Sequence, residues 1–193
     1  MLLDDICAYT PFNEQETADK AVIINALKTD PNCFERSAQA HMACSIWTLD
    51  PTATKTLCVY HNIYDSWSWI GGHADGVHDL AAVACRELEE ETGVQGRLIE
   101  ACGPGGIFSL EVLTVDGHMK RGAYVSSHLH LNVTYLAVAD PAAALRVAPD
   151  ENSAVAWLGI DELIERSTEP WIRTRVYGKL SAKTALLDKG LLV

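Results

Sequence analysis

The stretch GHADGVHDLAAVACRELEEETGV, residues 72–94, limits what this chain can fold into more than any other part of it. From about Asp79 to Thr92 the apolar residues recur at helical spacing, and Gly93 stands where a left-handed C-terminal cap falls. Just before it, the β-rich run WSWI (67–70) leads into Gly71-Gly72, where the backbone can turn sharply and approach a ligand without side-chain obstruction. The local order is therefore strand, glycine loop, helix.

The helix carries Glu87, Glu90 and Glu91 at i, i+3 and i+4, so the three carboxylates project from one side. A solvated acidic face is the common explanation of such a run, and it requires the acids to lie opposite the apolar arc. Glu89 meets that requirement. Glu91 does not, because it falls angularly between Leu80 and Ala84, while Glu87 and Glu90 flank the line of Leu80 and Val83. Carboxylates turned toward protein lose hydration unless something positive satisfies them. Arg86 can bond Glu90 one turn on, and the remaining charge calls for a hard divalent cation, Mg2+ or Mn2+, which prefers carboxylate oxygen and keeps positions open for water and phosphate. That is hydrolytic chemistry.

The segment resembles the Nudix box: a glycine, five residues, a glutamate, seven residues, then Arg-Glu-apolar-x-Glu-Glu-x-Gly-apolar. Gly72, Arg86, Glu87, Leu88, Glu90, Glu91, Gly93 and Val94 all fall in place. The resemblance implies a Nudix-like α/β/α sandwich with a mixed sheet over roughly residues 40–165. It also implies cleavage of a phosphoanhydride bond in a nucleoside diphosphate linked to another group, or a similar substrate. The roles implied are metal ligation by Glu90 and Glu91, ligation or base action by Glu87, and orientation of these carboxylates by Arg86. Gly71, Gly72 and His73 would face the substrate. Glu151, in PDENSAVAW, stands where relatives often carry a further acidic group, although a surface-turn acid accounts for it equally. The box departs from the pattern at its first glutamate, which is His78 here, followed by Asp79. Neutral imidazole suits softer ions than magnesium, so the departure predicts weaker Mg2+ binding. The alternative it keeps open is a weak or inactive Nudix-like module that binds a nucleotide or a protein.

The rest of the chain fits one domain over 1–193, with an N-terminal helical extension (1–39) and a C-terminal helix (167–193). Asn13 and Glu16 open a helix that runs to about Lys28 before Asp30-Pro31. Runs 41–50 and 56–61 read as a strand-turn-strand pair, and 94–102, 107–115 and 129–138 as later strands, with Asp116-Gly117 turning between the last two. Residues 161–166 read as a short helix, and the segment from Pro170 to Lys189 as a longer one closed by Gly190. A formal net charge of −11 argues against a nucleic-acid groove. No apolar run is long enough for a membrane span, and the acidic start differs from a signal peptide, so a soluble cytoplasmic protein is expected. The implied partner is a small nucleotide-derived phosphoanhydride, with a homodimer left open.

Other residues receive plainer readings. His128 and His130 alternate on one strand face with His118 nearby, and without a third fixed ligand they read as structural or substrate-contacting. Trp67, Trp69 and Trp157 read as core before base-stacking. His73 and Asp75 lie where they can touch phosphate or metal. The six cysteines form no CxxC pair and read as reduced core residues.

Overall fold

The computed structural model describes residues 1–120 and 122–192. A short helix, Leu2–Ala8 (α1), leads to Glu14–Thr29 (α2), whose Asn13 side chain accepts from the Glu16 amide as the N-cap reading requires. The Glu16 carboxylate does not return to its own cap. It accepts from Phe12 N and turns into the protein.

Then follow Ala40–Leu49 (β1), Lys55–His61 (β2), Ser66–Ser68 (β3), Ile70–His73 (β4), the acidic helix Leu80–Thr92 (α3) and the two-residue strand Arg97–Leu98 (β5). After these come Ile107–Val115 (β6), His118–Lys120 (β7), Ala123–Val125 (β8), His128–Val138 (β9), Asn152–Gly159 (β10), Ile160–Arg166 (α4) and Gly178–Ala185 (α5). Among the described residues, eight strands form one sheet ordered β10-β2-β1-β9-β5, with β3 on β2, β4 on β1 and β6 on β9. The sheet is mixed: β1 and β9 run parallel over ten residue pairs, and the remaining ladders are antiparallel.

Strand alternation splits the apolar side chains between two faces. Met42, Cys44, Ile46, Leu131 and Val133 meet α3 through Leu80, Val83, Ala84 and Leu88, and Ile6, Tyr9 and Ile23 from the N-terminal helices join this core. Trp47, Leu49, Cys58 and Leu136 meet Leu163, Val176, Tyr177 and Leu180 on the other face. Helices on both faces of a mixed sheet make an α/β/α sandwich. Among the described residues, no helix is long and apolar enough to cross a membrane.

Several local expectations are corrected. Runs 41–50 and 56–61 do not form a full hairpin, since β1 and β2 share only the Leu49↔Thr56 pair and β1 lies between β9 and β4 instead. WSWI is divided, because the chain changes partner from β2 to β1 between Ser68 and Ile70. Gly71-Gly72 lies inside β4, and the loop follows it. The run 94–102 pairs only at Arg97 and Leu98, where β9 reaches its end at Val138. Between β6 and β9 the chain makes a separate small hairpin, β7-β8, rather than a single turn. The long C-terminal helix begins with a wider π-wound stretch, Ile172–Tyr177, which delivers the fully buried Tyr177 ring against Trp47 and Trp69. It ends at Ala185, and Val193 of the expected 167–193 segment lies outside the described residues. None of the six cysteines forms a disulfide, and Cys7 is exposed rather than core.

Candidate active site

Helix α3 is set at both ends. The Asp79 side chain accepts from Ala82 N at 3.0 Å, and Gly93 takes φ 74°, a left-handed conformation that costs glycine little. With the helix so placed, Glu91 is pulled inside, 4% exposed, and Gly71 N in β4 donates to its Oε1 at 3.4 Å. The Glu87 carboxyl lies directly on Gly72, where an added Cβ would stand 2.7 Å from Oε1. Gly72 is thus needed for a close approach, not for an unusual φ. A third carboxylate comes from Glu151, whose carbonyl accepts from Asn62 N at 3.0 Å in the loop before β10. One oxygen from each of Glu87, Glu91 and Glu151 lies within 4.8 Å of the others.

Three carboxylates this close repel. Burial pushes the Glu91 carboxyl up to about 8, and Glu151 and Glu87 add to the rise. Burial also raises Glu87, against the pull of Arg86. The cleft beside them has a volume of about 390 Å3 and is walled by Gly71, Gly72, His73 and Arg36. Arg36 makes a two-bond ion pair with Asp75, which lowers that carboxyl below the usual range.

Glu87 and Glu91 therefore come together as the helical pattern required, and Glu151 completes the group. Glu90 stands apart, 62% exposed, with its Oε1 3.8 Å from Arg86 Nε, while Arg86 Nη2 bonds Glu87 Oε1 at 2.9 Å. Around the helix Glu87 is about 40° from Glu91 whereas Glu90 is about 100° away, which accounts for the split. His78 is exposed and stacks on Phe34, ring centroids 4.0 Å apart, in place of facing the carboxylates. Trp67 and Trp69 are buried and Trp157 half-buried.

His73 joins His130 and His128, as does His41, which the sequence reading had not singled out. Its only local signal was alternation parity within β1, because the strand that carries its partners pairs from almost ninety residues away.

Gly72→Ala is expected to lower kcat by at least about tenfold with little loss of fold, since an added methyl must displace the Glu87 carboxyl and small misplacements at a reacting centre are costly. Steady-state rates and a melting curve check this, and an unchanged kcat would show that Glu87 does not need its present position.

A family model described as the NUDIX domain matches residues 41–178. Among solved structures, a NUDIX-family hydrolase from Clostridium perfringens superposes with a TM-score of 0.53 at 16% identity, covering 77% of this chain and 98% of that one. An Ap4A hydrolase from C. elegans, solved as a binary complex, gives 0.51 at 17% identity over 75% of this chain and 94% of its own. A UDP-X diphosphatase gives 0.51 at 15% identity over 87% and 77%. At such identities the likeness speaks for the fold alone. No curated protein matches the sequence.

Proposed function

The chain belongs to the Nudix family, and from that premise we propose that it hydrolyses a phosphoanhydride bond in a nucleoside diphosphate linked to another group, with Glu87, Glu91 and Glu151 holding a divalent cation. The observation that carries this reading is the convergence of three carboxylates around a buried Glu91. The donor set fits a hard cation: all oxygen, anionic, and short of positive charge, since Arg86 bonds only the Glu87 and Glu90 side of the group. Mg2+ is the natural ion and Mn2+ its close substitute. When bound, such an ion neutralises phosphate charge, orients the pyrophosphate and lowers the pKa of a coordinated water.

The chain's own residues do the remaining work. Gly71 N fixes the Glu91 carboxylate, and Gly72 leaves room for Glu87 to lie against the strand. Burial raises the proton affinity of the Glu87 carboxylate, which suits it to take a proton from water as well as to help hold the cation, and Arg86 holds its orientation. Arg36 offers positive charge to phosphate from the cleft wall, with His73 beside it. Glu90 would have to leave Arg86 to join the three carboxylates as an added ligand. His61, on the cleft wall, stacks on Tyr64 at 4.4 Å between centroids and offers a planar surface for a base.

The test is phosphate release, coupled to a phosphatase, across dinucleoside polyphosphates, nucleotide sugars, ADP-ribose, oxidised nucleotides and non-nucleotide phosphoanhydrides, each with Mg2+ and with Mn2+. Turnover of at least one class that stops on chelation is expected. Binding without turnover across the whole panel would overturn the reading in favour of a binding module.

A further inference from the structure

Four of the chain's seven histidines meet on the sheet face opposite α3. The parallel register sets His41 on β1 opposite His130 on β9, and His128 follows on the same face two residues away. His73 pairs opposite Ala43, two residues along from His41, so it shares that face. One ring nitrogen from each lies within 4.8 Å of the others, and His130 Nε2 is 3.1 Å from both His73 Nε2 and His128 Nε2.

The backbone fixes two of the tautomers. His41 Nδ1 lies 2.8 Å from the Ala38 carbonyl, and His128 Nδ1 lies 2.8 Å from the Ser126 carbonyl. A carbonyl oxygen only accepts, so both Nδ1 atoms carry the proton and both neutral rings turn an Nε2 lone pair toward the group. His41 is 3% exposed, and its Nε2 has no hydrogen-bond partner among the described residues. A buried polar atom left this way costs about 1–3 kcal/mol. Hydrogen bonding inside the group does not relieve it, because His130 Nε2 has one proton or one lone pair to share between two neighbours already at 3.1 Å. A ring nitrogen held by a backbone carbonyl, with the other aimed at a common centre, is the arrangement that metal-binding histidines use.

Two other occupants are disfavoured. An anion would need protonated rings, whereas burial and the neighbouring His73, His41 and His128 hold His130 down at about 2, and burial lowers His41 as well. Magnesium would need oxygen ligands, which this group does not supply.

We propose that His41, His73, His128 and His130 bind one first-row transition-metal ion of the zinc class through their ring nitrogens. Nitrogens about 2.0–2.1 Å from a tetrahedral ion stand about 3.3 Å apart, close to the two 3.1 Å separations present. The rings line a cavity of about 430 Å3, which gives the ion a way in, and His118 stands on its wall. The ion ties β4, β1 and β9 together directly beside the Gly71-Gly72 strand. The assignment does not depend on the hydrolase reading, since its ligands are separate from the three carboxylates.

The test uses tag-free protein stripped with a chelator and titrated with Co2+, then Zn2+. One equivalent of Co2+ should bind with visible d–d absorption and be displaced by Zn2+. His128→Gln and His130→Asn should each weaken Zn2+ binding at least about tenfold, with melting curves confirming that the metal-free variants fold. Glu91→Gln should leave zinc stoichiometry at one. A parent that takes up neither ion overturns the proposal, as does binding that both histidine variants retain or that Glu91→Gln abolishes.

Discussion

Glu91→Gln is expected to lower kcat/KM by about two to three orders of magnitude while making the metal-free protein more stable near pH 8. The two effects have one source. Glu91 is 4% exposed and faces Glu87 and Glu151, so without a cation its charge is unwelcome, and burial with those neighbours holds its folded-state pKa up to about 8. Below its ordinary value of 4.5 the group is protonated folded or unfolded, and stability is unaffected by further acid. Between that value and about 8 the folded chain keeps a proton that the unfolded chain has released, so metal-free stability declines as pH rises through this window. Glutamine has no proton to lose, and the variant's melting temperature should be flatter over the same range. Magnesium should reverse the ranking at pH 8 by stabilising the parent more than the variant, as an ion bound only by the native state must. Parallel melting profiles for the two proteins would mean that Glu91 does not carry the charge assigned to it.

Lys179→Met is expected to lower the melting temperature by about 6–20 °C. Lys179, on α5, is 2% exposed at its side chain, with its Nζ 2.8 Å from Glu111 Oε1 and 3.4 Å from Glu16 Oε1, and both glutamates are fully buried. The Leu110 carbonyl accepts from it at 2.9 Å. Glu16 keeps other partners, Lys183 at 3.0 Å and Ser109 at 2.7 Å, and although burial pushes its carboxyl up, the two lysines hold it below the usual range. Among the described residues, the hydrogen-bond donors to Glu111 besides Lys179 are Ser109, Asn132 and Thr134, all neutral. Removing one member of a buried ion pair costs about 3–5 kcal/mol, and a chain of this length loses about 2–4 °C per kcal/mol. The loss should be large because this network fastens the N-terminal α2 and the C-terminal α5 to strand β6. Adding Glu111→Leu should recover part of the loss by removing the stranded charge. A drop of under about 2 °C for the single variant would show that Glu111 finds another counter-charge.

Much of α3 was legible because its signals are local. The helix start near Asp79, the cap at Gly93 and the inward direction of Glu91 can be read from local pattern, and each holds in the structure. Strands β6 and β9 match runs 107–115 and 129–138 to within a residue for the same reason. Pairing was not legible. The β1–β9 ladder joins residues 40–49 to 129–138, and no local pattern shows that His41 will stand opposite His130. Glu151 had a signal only through family resemblance, since the loop bearing it reaches Glu91 by way of β10 pairing with β2. Glu16 read as a helix-cap residue, and its burial among two lysines depends on a segment 163 residues later in the chain. Glu90 shares a side of the helix with Glu87 but stands about 100° from the inward Glu91, and local spacing does not show that Arg86 will hold it outward.

The proposed cation site consists of three carboxylates acting together, and Glu151 is the member that only the folded chain brings to it. Titrating turnover with Mg2+ in the parent and in Glu151→Gln, on whichever phosphoanhydride the parent cleaves best, tests that most directly. The half-saturating Mg2+ concentration should rise by at least about tenfold in Glu151→Gln, and the rate at saturating Mg2+ should fall, because the substitution keeps the size and removes one ligand charge. Superimposable titrations would contradict the account, since Glu151 would then lie beside the cation without holding it.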